Sequence, residues 1–444
     1  MFSPLQNRTY RRLFAAQVIS LVGTGLATVA LALLAYGLAG PNAGAVLGTA
    51  LAIKMIAYVG VAPVAAAFAG RLPRRAFLVA MDVLRAAIVL LLPFVDQVWQ
   101  VYVLVFLLQS ASASFTPAFQ ATIPDVLPEE KEYTRALSLS RLAYDLESLL
   151  SPTLAAVLLA AMSFHWLFAG TAIGFGVSAL LVLRAGIPAL AAPTTGRIRE
   201  RATRGLRIYL ATPRLRGLLA LNLTAAAAGA MVIVNTVVYV QSILGRPESD
   251  VAIALAAFGG GSMAAALALP AALERMADRL VMLCGAAIVV AVLVPTGAWT
   301  QSQPLDWIVL IATWLVLGAG YSAILTPSGR LLRRSSHQQD RPALFAAQFA
   351  LSHACWLLTY PLAGWLGAGL GMAPAMLVLG AVAGLGLAAA LLLWPAHDPE
   401  IVPHVHDDLS CDDPHVRDAR ATGLGLHHAH AFVIDEAHRH WPRI

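Results

Sequence analysis

Two stretches decide how this chain must fold: VWQVYVLVFLLQSASASFTPAFQ at residues 98–120 and LDWIVLIATWLVLGAGYSAILTP at residues 305–327. Each is almost free of charge, and each carries a Thr-Pro pair towards its end, Thr116-Pro117 in the first and Thr326-Pro327 in the second. A helix rises about 1.5 Å per residue, so either stretch is long enough to cross the roughly 30 Å of hydrocarbon in a bilayer. The repeat extends further: Pro152 follows Pro117 by 35 residues, and Pro361 follows Pro327 by 34. The chain therefore reads as two membrane-embedded halves of related design.

Working outward, twelve such spans are expected, at about 13–38, 44–69, 76–95, 98–120, 136–161, 163–183, 217–243, 250–273, 280–297, 305–327, 342–366 and 371–395. Composition agrees, with 59% hydrophobic residues, 12% charged, and Lys54 and Lys131 as the only lysines among 444 residues. A soluble domain carries about twice that charge. The chain divides into an N-terminal six-helix bundle (1–183), a central loop (184–216), a C-terminal six-helix bundle (217–395) and a His-rich tail (396–444). Pro188, Pro193 and Gly196 break helix in the central loop, before an Arg-rich stretch that can form a surface helix.

Arginine placement sets the expected orientation, because positively charged loops stay in the cytoplasm. Arg8, Arg11 and Arg12 precede the first span, Arg71, Arg74 and Arg75 follow the second, and the central loop carries eight more, from Arg184 to Arg216. Arg275, Arg279, Arg330, Arg333, Arg334 and Arg341 continue the pattern, whereas the odd-numbered connections hold only Arg246. Both termini are expected in the cytoplasm of a bacterial inner membrane, with the first apolar stretch retained as a span, since it is too long for a signal-peptide core. Basic residues so distributed need no nucleic-acid partner. Cys284, Cys355 and Cys411 are scattered and odd in number, which argues against a disulfide framework.

The residues Pro117-Ala-Phe-Gln-Ala-Thr-Ile-Pro124-Asp125-Val-Leu-Pro128-Glu129 resemble the loop between spans 4 and 5 in the major facilitator branch that includes the enterobactin exporters. The block Arg341-Pro-Ala-Leu-Phe-Ala-Ala-Gln348, continuing to His353-Ala-Cys-Trp356, and the His-rich end resemble the nickel-resistance exporters of that branch. The resemblance implies an all-α major facilitator fold, two six-helix bundles related by a pseudo-two-fold axis, and proton-driven efflux of Ni²⁺, with Co²⁺ a second cargo, by alternating access. The superfamily's motif between spans 2 and 3 becomes Ala66-Ala-Phe-Ala-Gly70-Arg71-Leu-Pro-Arg74-Arg75 here, with Gly70 in place of the acid. Arg71, Arg74 and Arg75, with Glu274 and Arg275 in the second half, are the expected gating charges.

Polar residues inside the membrane mark the candidate path, because each is costly unless paired or facing water. Gln17, Ser20, Thr24 and Thr28 recur at helical spacing on span 1, and Gln109, Ser112, Thr116 and Gln120 on span 4. These stripes read either as cavity walls or as hydrogen bonding between packed helices, and Asn235 on span 7 joins them. On span 5, Arg141 and Asp145 are four apart and can pair on one face, while Glu147 has no partner in its own helix. Such a carboxylate can exchange a proton for a cation. The internal repeat sets Glu147 near the pseudo-symmetric place of His353, so Glu147, Asp145 and His353 are the candidates to hold or couple the ion. Lys54 opposes a cation path, and fits an organic-anion cargo or a pairing with Asp145 or Glu147.

Nine of the twelve histidines lie in the tail, including the pairs His404/His406, His428/His430 and His438/His440 beside His427. Neutral imidazole is the commonest metal ligand, so these seven are expected to bind transition-metal cations as a flexible, concentrating or sensing chain. The tail's nine acidic residues against four arginines give −5, which leaves +11 on the membrane body. No phosphate-binding loop, nucleophile elbow or Cys-x-x-Cys pair is present, so neither an enzyme nor a resident cofactor is expected. Two other functions fit the body: export of small organic or siderophore-like molecules, and metal sensing without transport.

Overall fold

The computed structural model describes residues 2–39, 43–69, 72–159, 161–188, 198–303, 305–399, 401–406, 414–423, 425–435, 437–438 and 440–442. The first half comprises α1 (Arg8–Ala39), α2 (Ala43–Ala69), α3 (Arg74–Leu91), α4 (Val98–Val126), α5 (Glu130–Leu159) and α6 (His165–Arg184). A short helix, α7 (Ile198–Ala211), lies in the central connection. The second half comprises α8 (Pro213–Val237), α9 (Glu248–Leu273), α10 (Asp278–Trp299), α11 (Trp307–Leu325), the short α12 (Ser328–Arg334), α13 (Arg341–Gly369) and α14 (Met372–Leu393). Among the described residues, ten helical spans are long and apolar enough to cross a membrane. α2 and α5 are outside that set, α2 with a shorter apolar helix at Ala52–Ala66.

α1 packs on α5 and α6, and α3 and α4 on one another, while in the second half α8 packs on α13 and α14, and α9 and α10 on α11. The halves meet where α2 and α4 face α13 and where α5 faces α9. Small residues permit the closest approaches, since membrane helices associate by packing rather than by a hydrophobic drive. A Cβ on Gly318 would strike the backbone of Phe258, and one on Gly261 the backbone of Leu315, so at these two points the backbones of α9 and α11 can approach only through glycine.

Two boundaries differ from the sequence expectation. α4 continues beyond residue 120 to Val126, through Pro117 and Pro124, and α5 begins at Glu130 rather than near 136. Both extensions are helical chain outside the apolar run, which a hydropathy criterion does not see. On the arginine-rich face they are tied to the second half. Arg341 pairs with Asp125, Arg330 Nη2 lies 2.5 Å from Glu130, Lys131 Nζ lies 3.1 Å from Glu274, and Arg333 donates to the Pro128 carbonyl.

The expectation of a flexible tail is not met by its described residues. The tail forms a three-stranded antiparallel sheet of β1 (Ile401–His406), β2 (Arg420–Thr422) and β3 (Gly425–Ala431) in the order β1-β3-β2. Its attachment to the membrane body is polar and aromatic. Asp398 lies 2.9 Å from the buried Arg214 and accepts from Trp394 Nε1 at 3.1 Å, and Arg334 donates to the Asp398 carbonyl at 2.6 Å. Trp441 stacks its ring under the Arg214 guanidinium, 5.0 Å away, and contacts Phe432, which is buried with Val402 and Ile434.

Candidate functional site

Inside the membrane the candidate polar residues mostly join helices. Gln17 accepts from Ser140 at 3.0 Å, tying α1 to α5, and Gln109 accepts from Tyr58 at 2.9 Å, tying α4 to α2. Asn235 is buried and donates to the Ala363 carbonyl at 3.2 Å, tying α8 to α13. Thr24 bonds back to the Ser20 carbonyl of its own helix. Arg141 and Asp145 form the pair expected from their spacing, and Arg141 also reaches Ser262 on α9 at 3.1 Å and the Tyr321 ring at 4.7 Å. Asp145 is thereby committed to a structural ion pair at the interface of the halves.

Glu147 and His353 have different surroundings. Glu147 is half-buried and sits in the field of Lys54 on α2. Lys54 also acts on His353, and its ammonium lies 5.5 Å from the Tyr58 ring. His353 packs edge-on to Tyr58 at 4.7 Å, contacts Phe349 at 4.2 Å, and places Nδ1 2.7 Å from the Phe349 carbonyl. Lys54 thus lies beside Tyr58, the ring that His353 of the other half packs against. Among the described residues no intramembrane group of three or more His, Cys, Asp or Glu converges as a metal site.

Of the expected gating charges, Arg74 pairs with Asp125 and Glu274 with Lys131, while Arg75 and Arg275 are exposed and Arg71 lies outside the described residues. Among the gating charges, the residue that sequence reasoning missed is Asp125. Its side chain is 1% exposed and takes Arg74 of its own half, Arg341 of the other, and Gln338 Nε2 at 3.2 Å. It supplies the acid that Gly70 lacks, from the far end of α4. The second half has an inverse arrangement, with Asp278 at the start of α10 2.7 Å from Arg330 on α12.

The tail holds the metal-competent group: nitrogens of His404, His406, His415, His428 and His438 all lie within 4.8 Å of one another. Strand geometry explains this, because residues two apart share a face. His404 and His406 point inward on β1, His404 registers against His428 on β3, and His430 falls opposite Val402 on the same face. His415 arrives from the turn Pro414–Val416 and His438 from the segment after β3. The expected ligands His427 and His440 are exposed and do not join; His427 pairs with Val405 on the opposite face. His415, isolated in sequence, replaces them. Cys411 lies outside the described residues.

Neighbouring groups hold these rings in the ligating form. Nδ1 of His404, His430 and His438 lies 3.0, 2.9 and 2.9 Å from the Val402 carbonyl, the Ala431 carbonyl and Asp435 Oδ1, which directs Nε2 inward. Burial and then the adjacent imidazoles push His404 and His428 down to about 4, so both are neutral at pH 7. The other Asp435 oxygen lies 3.2 Å from His337 Nε2, between α12 and α13. Against the pull of burial, these histidine hydrogen bonds hold the Asp435 carboxyl well below the usual range. A solvent-open depression lined by His337, His415, Asp418, His428, His430 and Asp435 leads to the cluster.

Two repeated six-helix halves, closed on one face by charge pairs and joined by a central connection, define a polytopic carrier. A family model described as Major Facilitator Superfamily matches residues 13–305 and again 218–410, and the chain belongs to that superfamily. It is 30% identical over 172 residues to the uncharacterized MFS-type transporter YfiS of Bacillus subtilis (strain 168), a match spanning 38% of this chain and 40% of that relative. Its fold is similar to that of the human organic anion transporter MFSD10 (TETRAN), with TM-score 0.74, 11% identity, and 86% of this chain and 99% of that one covered. A bacterial homologue of the iron transporter ferroportin in its outward-facing state gives TM-score 0.69, 14% identity and coverage of 87% and 97%. The fucose:proton symporter FucP of E. coli gives 0.66, 14%, and 87% and 98%.

Proposed function

We propose that this carrier exports Ni²⁺, with Co²⁺ as a second cargo, from the bacterial cytoplasm across the inner membrane, by alternating access against inward proton movement. The observation that carries the reading is the folded histidine cluster attached to the arginine-rich face. Positive loops stay inside, so that face is cytoplasmic, both termini lie there, and the cluster meets cellular metal beside the closed gate. The protein acts as a multi-pass carrier divided as 1–183, 184–216, 217–395 and 396–444, with no chemistry of its own beyond binding and proton exchange.

In this reading Glu147 couples the proton. Its field partner Lys54 compensates the carboxylate when no cation is present, which answers the objection that a lysine would repel the cargo. Protonation of Glu147 weakens that pairing and frees Lys54 to act on His353 in the other half. A second reading, export of an organic anion, is favoured by Lys54 itself and by the fold shared with an organic anion transporter.

The test is growth and cell-associated metal in a metal-sensitive bacterium that expresses the full chain, across Ni²⁺, Co²⁺, Zn²⁺ and Cu²⁺. Restored growth with lower nickel or cobalt supports export of that ion. Unchanged content for all four selects the organic-anion reading.

A further inference from the structure

Six imidazoles, not five, surround one point in the tail. Among His404, His406, His415, His428, His430 and His438, each ring has its centroid 4.5–5.1 Å from all the others save one. The combinations outside that set are His404 with His415, His406 with His430, and His428 with His438, and they share no member. This is the adjacency of an octahedron, in which every vertex neighbours all but its opposite. A tetrahedron has no opposite vertices at all.

The nitrogen spacings agree. Bonds of about 2.1 Å to a metal place adjacent nitrogens about 3.0 Å apart at right angles and about 3.4 Å apart at tetrahedral angles. Nε2 of His404 lies 3.0 Å from that of His438 and 3.0 Å from that of His428; His415 and His438 are 3.1 Å apart, and His430 and His415 3.3 Å. One of these contacts, His404 to His438, does not work as a hydrogen bond between neutral rings. His404 and His438 each spend their Nδ1 hydrogen on an outer acceptor, so two bare Nε2 lone pairs face one another. His428 and His415 can each donate an Nε2 hydrogen to one neighbour, whereas a cation at the centre accepts the lone pairs of all the rings together.

We infer that the tail is a folded one-ion domain in which His404, His406, His415, His428, His430 and His438 form an octahedral site for a six-coordinate late first-row divalent ion. Imidazole donors disfavour Mg²⁺ and Ca²⁺, which take oxygen ligands, and zinc sites built from protein side chains are almost always four-coordinate. Cu²⁺ prefers tetragonal geometry. Of the octahedral ions that remain, the affinity order Mn²⁺ < Fe²⁺ < Co²⁺ < Ni²⁺ makes Ni²⁺ the tightest and Co²⁺ the next. Because a site of six converging side chains does not exist in the unfolded tail, ion binding and folding of the tail are coupled. The inference rests on tail geometry alone and holds whether or not the ion crosses the membrane.

The test uses the full chain in detergent, stripped with a chelator and titrated separately with Ni²⁺, Co²⁺ and Zn²⁺. The expected result is one Co²⁺ per chain with the weak visible bands of six-coordinate cobalt, and X-ray absorption of the nickel form fitted by six nitrogen neighbours. His430→Ala should weaken Ni²⁺ binding by about tenfold or more, whereas His427→Ala, on the opposite face, should leave it unchanged. Intense four-coordinate cobalt bands in the wild-type chain would overturn the assignment. So would several weak ions per chain that respond equally to both substitutions, the behaviour of a chelating tract. Neither outcome bears on growth or cell metal, so failure here is separate from failure of the export reading.

Discussion

Asp125→Asn should loosen the closed gate, and the structure gives the size of the effect. The Asp125 side chain is 1% exposed, and of its partners Arg74 belongs to the same half and moves with it. Only the Arg341 and Gln338 contacts cross between halves, so only these are lost when the gate opens. A charge-assisted hydrogen bond contributes roughly 1.5–3 kcal/mol. The tie between Arg330 and Glu130 is worth less, because that carboxylate is 59% exposed and screened. Taking about 2 kcal/mol for the Asp125–Arg341 contact, the open fraction rises about 30-fold. The reporter is Leu137→Cys in a background without the native cysteines, since a Cβ on Gly329 of α12 would meet Leu137 at 2.8 Å and the pair separates on opening. Maleimide labelling should accelerate about 30-fold in Asp125→Asn and by a similar factor in Arg341→Gln. The double variant should add little, because both remove one interaction. Labelling rates within twofold of the parent, or fully additive effects, would refute the reasoning.

Glu147→Gln should abolish export while leaving expression normal, and metal resistance retained by this variant would remove Glu147 from proton coupling. Ending the chain after Pro399 keeps Asp398 for Arg214 and should lower nickel resistance without eliminating it; complete loss would place the tail in the transport path. Asp82→Asn should cost about 3–5 kcal/mol, because Asp82 and Arg85 are 0% and 4% exposed, with Arg85 held between Phe115 and Phe175. The drop is to be read from the melting temperature in detergent, and Asp82→Leu with Arg85→Met should recover much of it. Chelation should speed hydrogen exchange at the β3 amides while the α8 and α14 amides stay protected, whereas equal protection with and without metal would uncouple the ion from the tail's fold.

The membrane body was legible because lipid leaves a chain few choices. Long apolar runs must be helices, and the Thr-Pro repeat joined them into halves. The Arg141–Asp145 pair followed from helical spacing alone. Asp125 was hidden because its partners Arg74 and Arg341 are remote in sequence, although Pro124-Asp125 sits in the very stretch that carries the family resemblance. The tail was misread as flexible for a related reason. His404-Val-His406 and His428-Ala-His430 have the period of two that puts like residues on one strand face, but histidine is a weak strand signal and Pro403 interrupts the run. His415 carried no local sign at all; only folding brings it beside His438. His427 and His440 were drawn in by composition, which does not distinguish the faces of a strand.

The most direct measurement is flux: purified chain in liposomes, Ni²⁺ movement followed by a trapped indicator with and without an imposed proton gradient. The account predicts Ni²⁺ transport that depends on the gradient, is lost in Glu147→Gln, and persists at a reduced rate without the tail. No Ni²⁺ movement under any gradient, from protein that transports an organic anion, would contradict it.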